Sequence, residues 1–226
     1  MIASDIEIHK IIRSKRRTIA LQIGRDALLI VRAPLKTPEK AIFEFINLKK
    51  SWVKKNQERA RQKLLSTPKR EFKDGESFPY LGESYKLRIA YDYPNKLTFD
   101  SGFFLSTAKA RKAGELFIRW YKKAAIALIA ERTRYYATRL GINYESIKIT
   151  SGRGNWGSCR GQGRLIFNWR IIMAQLQIID YVIVHELVHV IERNHSRRYW
   201  NKISSIYPNY QSCKKWLKQN GHLLEI

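Results

Sequence analysis

Three of the chain's five histidines fall within eleven residues, HELVHVIERNH, running from His185 to His195. His185 and His189 are four apart, so on a helix they project from one face, one turn above the other. Two imidazoles placed that way can reach a single metal ion, and Glu186 then lies beside the ion rather than on it. Hydrolysis with metal-activated water needs this set: two ligands, and a carboxylate that takes the water's proton. Catalytic zinc keeps three protein ligands and one open position, so a third ligand is expected, and His195 is the nearest candidate. Six residues past His189, it would point elsewhere if the helix ran on. The helix must therefore stop, and Arg193-Asn194 offers a place, because Asn tolerates the left-handed conformation that ends helices.

The competing reading is a buried helix whose histidines are satisfied core residues, since HExxH also arises by chance. The surroundings, IIDYVIVHELVHVIE, carry Ile, Val and Leu in nearly every direction, as in a helix buried on all sides. Ionisable groups are rarely buried there unless paired or on a metal, because stripping their water is costly. Two histidines and a glutamate in such a helix ask for a reason, and Zn2+ supplies one.

The elements that must position these residues are mixed. DIEIHKII, RTIALQIG and ALLIVRAP alternate or run apolar in short β-like segments. Thr37-Pro38-Glu39 opens a long helix reaching to about Leu65, with Thr as cap and Pro in the first turn. STPKREFKDGES is a turn-rich connector. YKLRIAYDY, KLTFD and FFLS are expected strands, and a second long helix runs from about Lys109 to Leu140, closed by Gly141. IKITSG and RLIFNWRII are expected strands ahead of the motif helix, which starts near Gln177. The tail holds one or two more helices, SRRYWNKISSIY the clearer. There is no internal repeat and no low-complexity tract.

A chain of 226 residues with 44% hydrophobic residues can bury a real core. MIASDIEIHK has no apolar run after a basic start, so no signal peptide is expected. No apolar run approaches a membrane span, which excludes a membrane partner. Two cysteines, Cys159 and Cys213, argue against a disulfide framework and for a reducing, cytoplasmic compartment. Lys and Arg total 43 against 19 acidic residues, a net charge of +24. Basic residues cluster in KIIRSKRR, LKKSWVKK, ERARQK and RNHSRR. A field of this sign draws polyanions, so non-specific association with DNA or RNA is an expected partnership. Lysines that merely solvate an amphipathic helix account for much of residues 40–64.

HELVHVIERNHSRRYW, preceded by NWGSCRGQGRLIFNWR, resembles the YgjP-like family of zinc-dependent metallopeptidases, related to the SprT and WLM groups. The resemblance extends to RSKRRTIALQIG, VRAP, SWVKK and FPYLGESYKL, and so covers nearly the whole chain. It implies zinc held by His185, His189 and His195, with Glu186 as the catalytic acid and base. The implied fold is α+β and zincin-like: an active-site helix under a small sheet, preceded by a β-rich N-terminal region and a long helix. One domain over residues 1–226 is expected, with sub-regions at 1–105 and 106–226. The family usually carries Arg just before WGSC, where this chain has Asn155. The spacing is also similar to that of the metzincins, which place Gly where Glu192 stands and have a methionine turn downstream. No methionine follows Met173, which excludes them. A ribosomal-RNA maturation family uses three histidines at this spacing without the glutamate, so Glu186 separates peptidase from nuclease.

The expected substrate is a peptide or protein. An extended peptide could pair with the strand around Arg164–Trp169 by β-addition. Asn168, Arg170, Trp156 and Tyr199 are the candidate substrate-binding residues, with Arg170 and Tyr199 also candidates to steady the oxyanion. Glu192 is an alternative ligand, and Cys159 a thiol that is either near the metal or simply buried. Three function classes fit: a zinc peptidase, a zinc hydrolase acting on RNA or DNA, and a nucleic-acid-binding module with structural zinc.

Overall fold

A computed structural model describes residues 2–3 and 6–226, with side chains from residue 6 onward. The chain divides into two compact units, Met1–Thr67 and Pro68–Ile226.

In the first unit, β1 (Ile2–Ala3), β2 (Ile6–Ser14), β3 (Ala20–Ile23) and β4 (Leu29–Pro34) form a sheet in the order β1-β2-β4-β3. The period-2 apolar pattern turns Leu29, Val31 and Ala33 of β4 inward with Ile6 and Ile8 of β2. These pack with Ile42 and Ile46 of α1 (Glu39–Leu48) and Val53 of α2 (Lys50–Ser66). The single long helix expected here is therefore two. Lys49 leaves helical geometry at φ −102° and ψ 15°, and its N–H is shared between the carbonyls of Phe45 and Ile46. Thr37 does not cap α1; Pro38 takes that position in extended conformation, and no side chain caps the helix.

The second unit opens with β5 (Ser77–Tyr80), β6 (Glu83–Ala90), β7 (Thr98–Phe99) and β8 (Phe103–Ser106), in the order β5-β6-β8-β7. The long helix α3 (Ala113–Leu140) begins later than expected, because Thr107–Lys112 forms a 3-10 turn first. Ala113, Phe117, Tyr121, Ala125, Ile129, Thr133 and Ala137 make its buried stripe, one residue per turn. Gly141 ends it in the left-handed conformation, φ 63°. In the core Phe78 stacks on Phe117 with centroids 4.1 Å apart, and Phe103 and Tyr121 meet Phe117 at tilted angles.

A three-stranded sheet follows, of β9 (Ser146–Thr150), β10 (Gly157–Arg160) and β11 (Arg164–Asn168), in the order β10-β11-β9. β11 is the central strand, antiparallel to β10 and parallel to β9. The apolar run after it is no strand: Trp169–Met173 is a 3-10 turn, buried throughout. α4 (Leu176–Ile191), α5 (Arg197–Ile206) and α6 (Tyr210–Asn220) complete the unit. Among the described residues, α4 touches α3, α5, α6 and β10, as its all-round apolar sequence requires. Its one buried acid outside the motif, Asp180, is held by Arg132 of α3 through bonds of 2.8 and 2.5 Å and by the Tyr136 hydroxyl at 3.1 Å. Small sheets flanked by helices make this a mixed α+β fold. No helix among the described residues is long and apolar enough to cross a membrane. Neither cysteine is paired; Cys213 is buried and Cys159 half-buried.

Candidate metal centre

His185 and His189 stand one turn apart near the C-terminal end of α4, both half-buried. The helix stops at Ile191. It does so through Glu192 in extended geometry, φ −124° and ψ 93°, and not through a left-handed Asn194. The extended residue turns the chain back at once, and Ser196 restarts a helix by accepting the backbone N–H of Tyr199. That short return carries His195 over α4. Its Nε2 lies 3.1 Å from His189 Nε2 and 3.2 Å from His185 Nε2. Tetrahedral zinc with bonds of about 2.0–2.1 Å sets neighbouring nitrogens roughly 3.3 Å apart, so the three imidazoles fit that ion.

Their protonation agrees. Burial, then the charges of His189, His195 and Lys214, pushes His185 down to about 3. Desolvation, then His189 and Lys214, lowers His195 as well. A histidine lowered in this way is neutral at pH 7 and offers a lone pair. His189 Nδ1 faces the Glu192 carbonyl at 3.0 Å, which makes Nδ1 the protonated nitrogen and leaves Nε2 to the cluster. Glu192 thus contributes its backbone, and its side chain stands apart from the ligand group of His185, His189 and His195.

Glu186 is buried and lines the same cleft, about 630 Å³ in volume, as the three histidines. Burial pushes its carboxyl up to about 8, against the pull of the Cys159 backbone N–H. β10 crosses so close that a Cβ on Gly157 would sit 2.6 Å from both Cγ and Oε1 of Glu186. Only glycine leaves that space. Asn155, Trp156, Gly157, Tyr181 and Arg193 line the cleft with Glu186 and the histidines.

Residues 17–220 match the YgjP-like metallopeptidase domain. The chain belongs to the YgjP-like family. No curated protein matches it. Among solved structures it is similar to the metallopeptidase zymogen of Pyrococcus abyssi abylysin, at 13% identity and a TM-score of 0.37, over 40% of this chain and 93% of that one. At that score the likeness carries no inference.

The other candidates scatter. Trp156 lines the cleft. Tyr199 is fully buried beneath the cluster, its ring stacked on His189 at 4.5 Å and its hydroxyl donating to the His185 carbonyl at 3.1 Å. It holds the ligands from below, and its proton is already committed. Asn168 is buried away from the cleft, donating to the Gly152 carbonyl at 2.9 Å and accepting from Arg170 N at 3.0 Å. Arg170 lies over the Trp169 ring and donates to Glu225 at 2.9 Å. The structure brings neither Asn168 nor Arg170 to the histidines. β-Addition to β11 is ruled out, because both its edges are already paired; the strand of this sheet that borders the cleft is the edge strand β10. Cys159 lines the cleft but supplies no ligand atom to the cluster.

Sequence reasoning missed Gly157, Arg193 and Trp200, whose ring stacks on His195 at 5.4 Å. Gly157 stood in the quoted WGSC, but nothing in the sequence says which side chain passes beneath it.

Proposed function

We propose that the chain is a zinc-dependent peptidase of zincin-like architecture, with α4 as its active-site helix under the β10-β11-β9 sheet. The observation that carries this reading is the convergence of three Nε2 atoms, at 3.1 and 3.2 Å, in one cleft with the buried carboxyl of Glu186. His185, His189 and His195 would hold the ion. Zinc, when bound, supplies Lewis acidity, acidifying water and polarising a carbonyl. Beside a bound cation the Glu186 carboxyl, raised by burial alone, would be held ionised, take the attacking water's proton on a carboxylate oxygen and hand it to the leaving amine. The Cys159 N–H and the absent side chain of Gly157 fix where that carboxylate stands. An extended peptide would lie along β10, whose backbone is paired on one side only, with Trp156 beside it.

A three-histidine group favours catalysis over a structural role, since structural zinc takes four protein ligands. The charge of +24 supports a separate proposal, that the protein associates with nucleic acid in a sequence-tolerant, salt-sensitive way. The test is Glu186→Gln, measured for zinc content, peptide hydrolysis and nuclease activity. Zinc should stay at one per chain while peptide hydrolysis falls by at least about a hundredfold, as on removal of a general base. Undiminished peptidase activity would sink the mechanism. Cleavage of RNA or DNA that is lost in the variant would favour the nuclease.

A further inference from the structure

From Arg193 onward the chain changes character. From Arg193 to Leu224 it carries seven Lys and Arg residues and no Asp or Glu. Three of the lysines, Lys214, Lys215 and Lys218, sit exposed on α6 and line an open pocket of about 480 Å³ with Trp200 and Tyr210. This pocket adjoins the histidine cluster through one ring. Trp200 stacks on His195 with centroids 5.4 Å apart, on Tyr210 at 5.4 Å, and receives the Lys214 ammonium 4.2 Å from its centre. No carboxylate pairs with Lys214 or Lys215 among the described residues. Lys214, with no carboxylate partner and one aromatic ring away from the metal ligands, is placed to read charge on whatever enters the cleft.

We propose that the Trp200–Lys214 pocket is a specificity subsite that takes an acidic side chain of a peptide substrate, so that the enzyme prefers peptides carrying Asp or Glu near the cleaved bond. The inference rests on the peptidase reading above. Two observations favour a carboxylate over a nucleobase. Single-stranded nucleic acid is held by bases stacked on open aromatic faces, whereas Trp200 is already stacked on by His195 and Tyr210 and covered by Lys214. The pocket volume of about 480 Å³ also suits one or two side chains rather than a run of nucleotides. Held by cation–π contact, Lys214 has less freedom to lose when an anion arrives.

Binding and turnover test this separately. The full-length Glu186→Gln protein, loaded with zinc, is titrated with a labelled ten-residue peptide of alternating Glu and Gly, with its Gln counterpart, and with a ten-nucleotide oligo-dT. The acidic peptide should bind at least tenfold tighter than the Gln peptide. The difference should shrink as salt shortens the screening length from about 8 Å at 0.15 M, and should vanish in Lys214→Glu/Lys215→Glu. Equal binding of the two peptides, or a preference that survives the double reversal, overturns the subsite. Oligo-dT binding that is lost in the double variant, without peptide preference, reassigns the pocket to nucleic acid. Active wild-type protein is then given matched Glu and Gln peptides, and the ratio of their kcat/KM should favour Glu by at least tenfold. If no peptide is cut at all, the peptidase reading fails while the binding result still decides the subsite.

Discussion

Replacing Gly157 by alanine probes the contact that sets the position of the general base. The added Cβ would lie 2.6 Å from Glu186 Cγ, 2.6 Å from Oε1 and 2.9 Å from Cδ. Ordinary van der Waals contact begins at 3.4 Å, so strand and side chain must separate by close to an ångström. Glu186 cannot yield cheaply, because it is 4% exposed and two of the three clashing atoms lie in the body of its side chain rather than at the tip. The Cys159 N–H that holds the carboxyl belongs to the same strand, so moving β10 weakens that bond too. Overpacking of this kind costs about 1–3 kcal/mol, or roughly 2–12 °C in Tm for a chain of this size. A misplacement of about 1 Å at a reacting group costs on the order of a hundredfold in rate. Gly157→Ala should therefore bind one zinc, melt a few degrees lower, and hydrolyse peptide about a hundredfold more slowly in kcat. The measurements are metal content, a thermal melt and steady-state kinetics on one peptide. A folded, zinc-loaded Gly157→Ala protein with wild-type kcat would refute the idea that this close approach positions Glu186.

Metal retention separates His195 from Glu192. His195→Ala removes one of three converging nitrogens and should cut zinc retention severely, whereas Glu192→Ala keeps the backbone carbonyl that His189 uses and should retain the metal; dialysis against a chelator followed by metal analysis reads both, and the reverse pattern would overturn the ligand set. Asp180→Ala strips the carboxylate from Arg132 and Tyr136 at the α3–α4 contact. Breaking a largely buried pair from one side costs about 3–5 kcal/mol, so the midpoint of denaturant unfolding should fall markedly, and an unchanged midpoint would show that the pair contributes little.

The sequence by itself determined the ligands' helix. A four-residue spacing puts His185 and His189 on one face whatever surrounds them, and the apolar run around them could only be a helix buried on all sides. It also determined the end of α3, because Gly141 tolerates a left-handed turn that other residues avoid. The requirement that the helix stop before His195 was legible too, since three ligands on one ion demand it. How it stops was not. An extended Glu192 and a left-handed Asn194 differ by which tertiary contacts the returning chain makes, and the packing of Tyr199 beneath the imidazoles favours the former. Neighbours distant in sequence decided the rest. Arg164–Asn168 reads as a strand on its own alternation, but only pairing with both β9 and β10 makes it central and leaves β10 bordering the cleft. Arg170 and Asn168 look equally available in sequence, and it took Glu225 and Gly152, folded back from elsewhere, to engage them. Gly157 and Lys214 matter through what they approach, Glu186 and the Trp200 ring. Local periodicity encodes which face of a helix or strand a residue occupies; it carries no information about which distant side chain will meet that face.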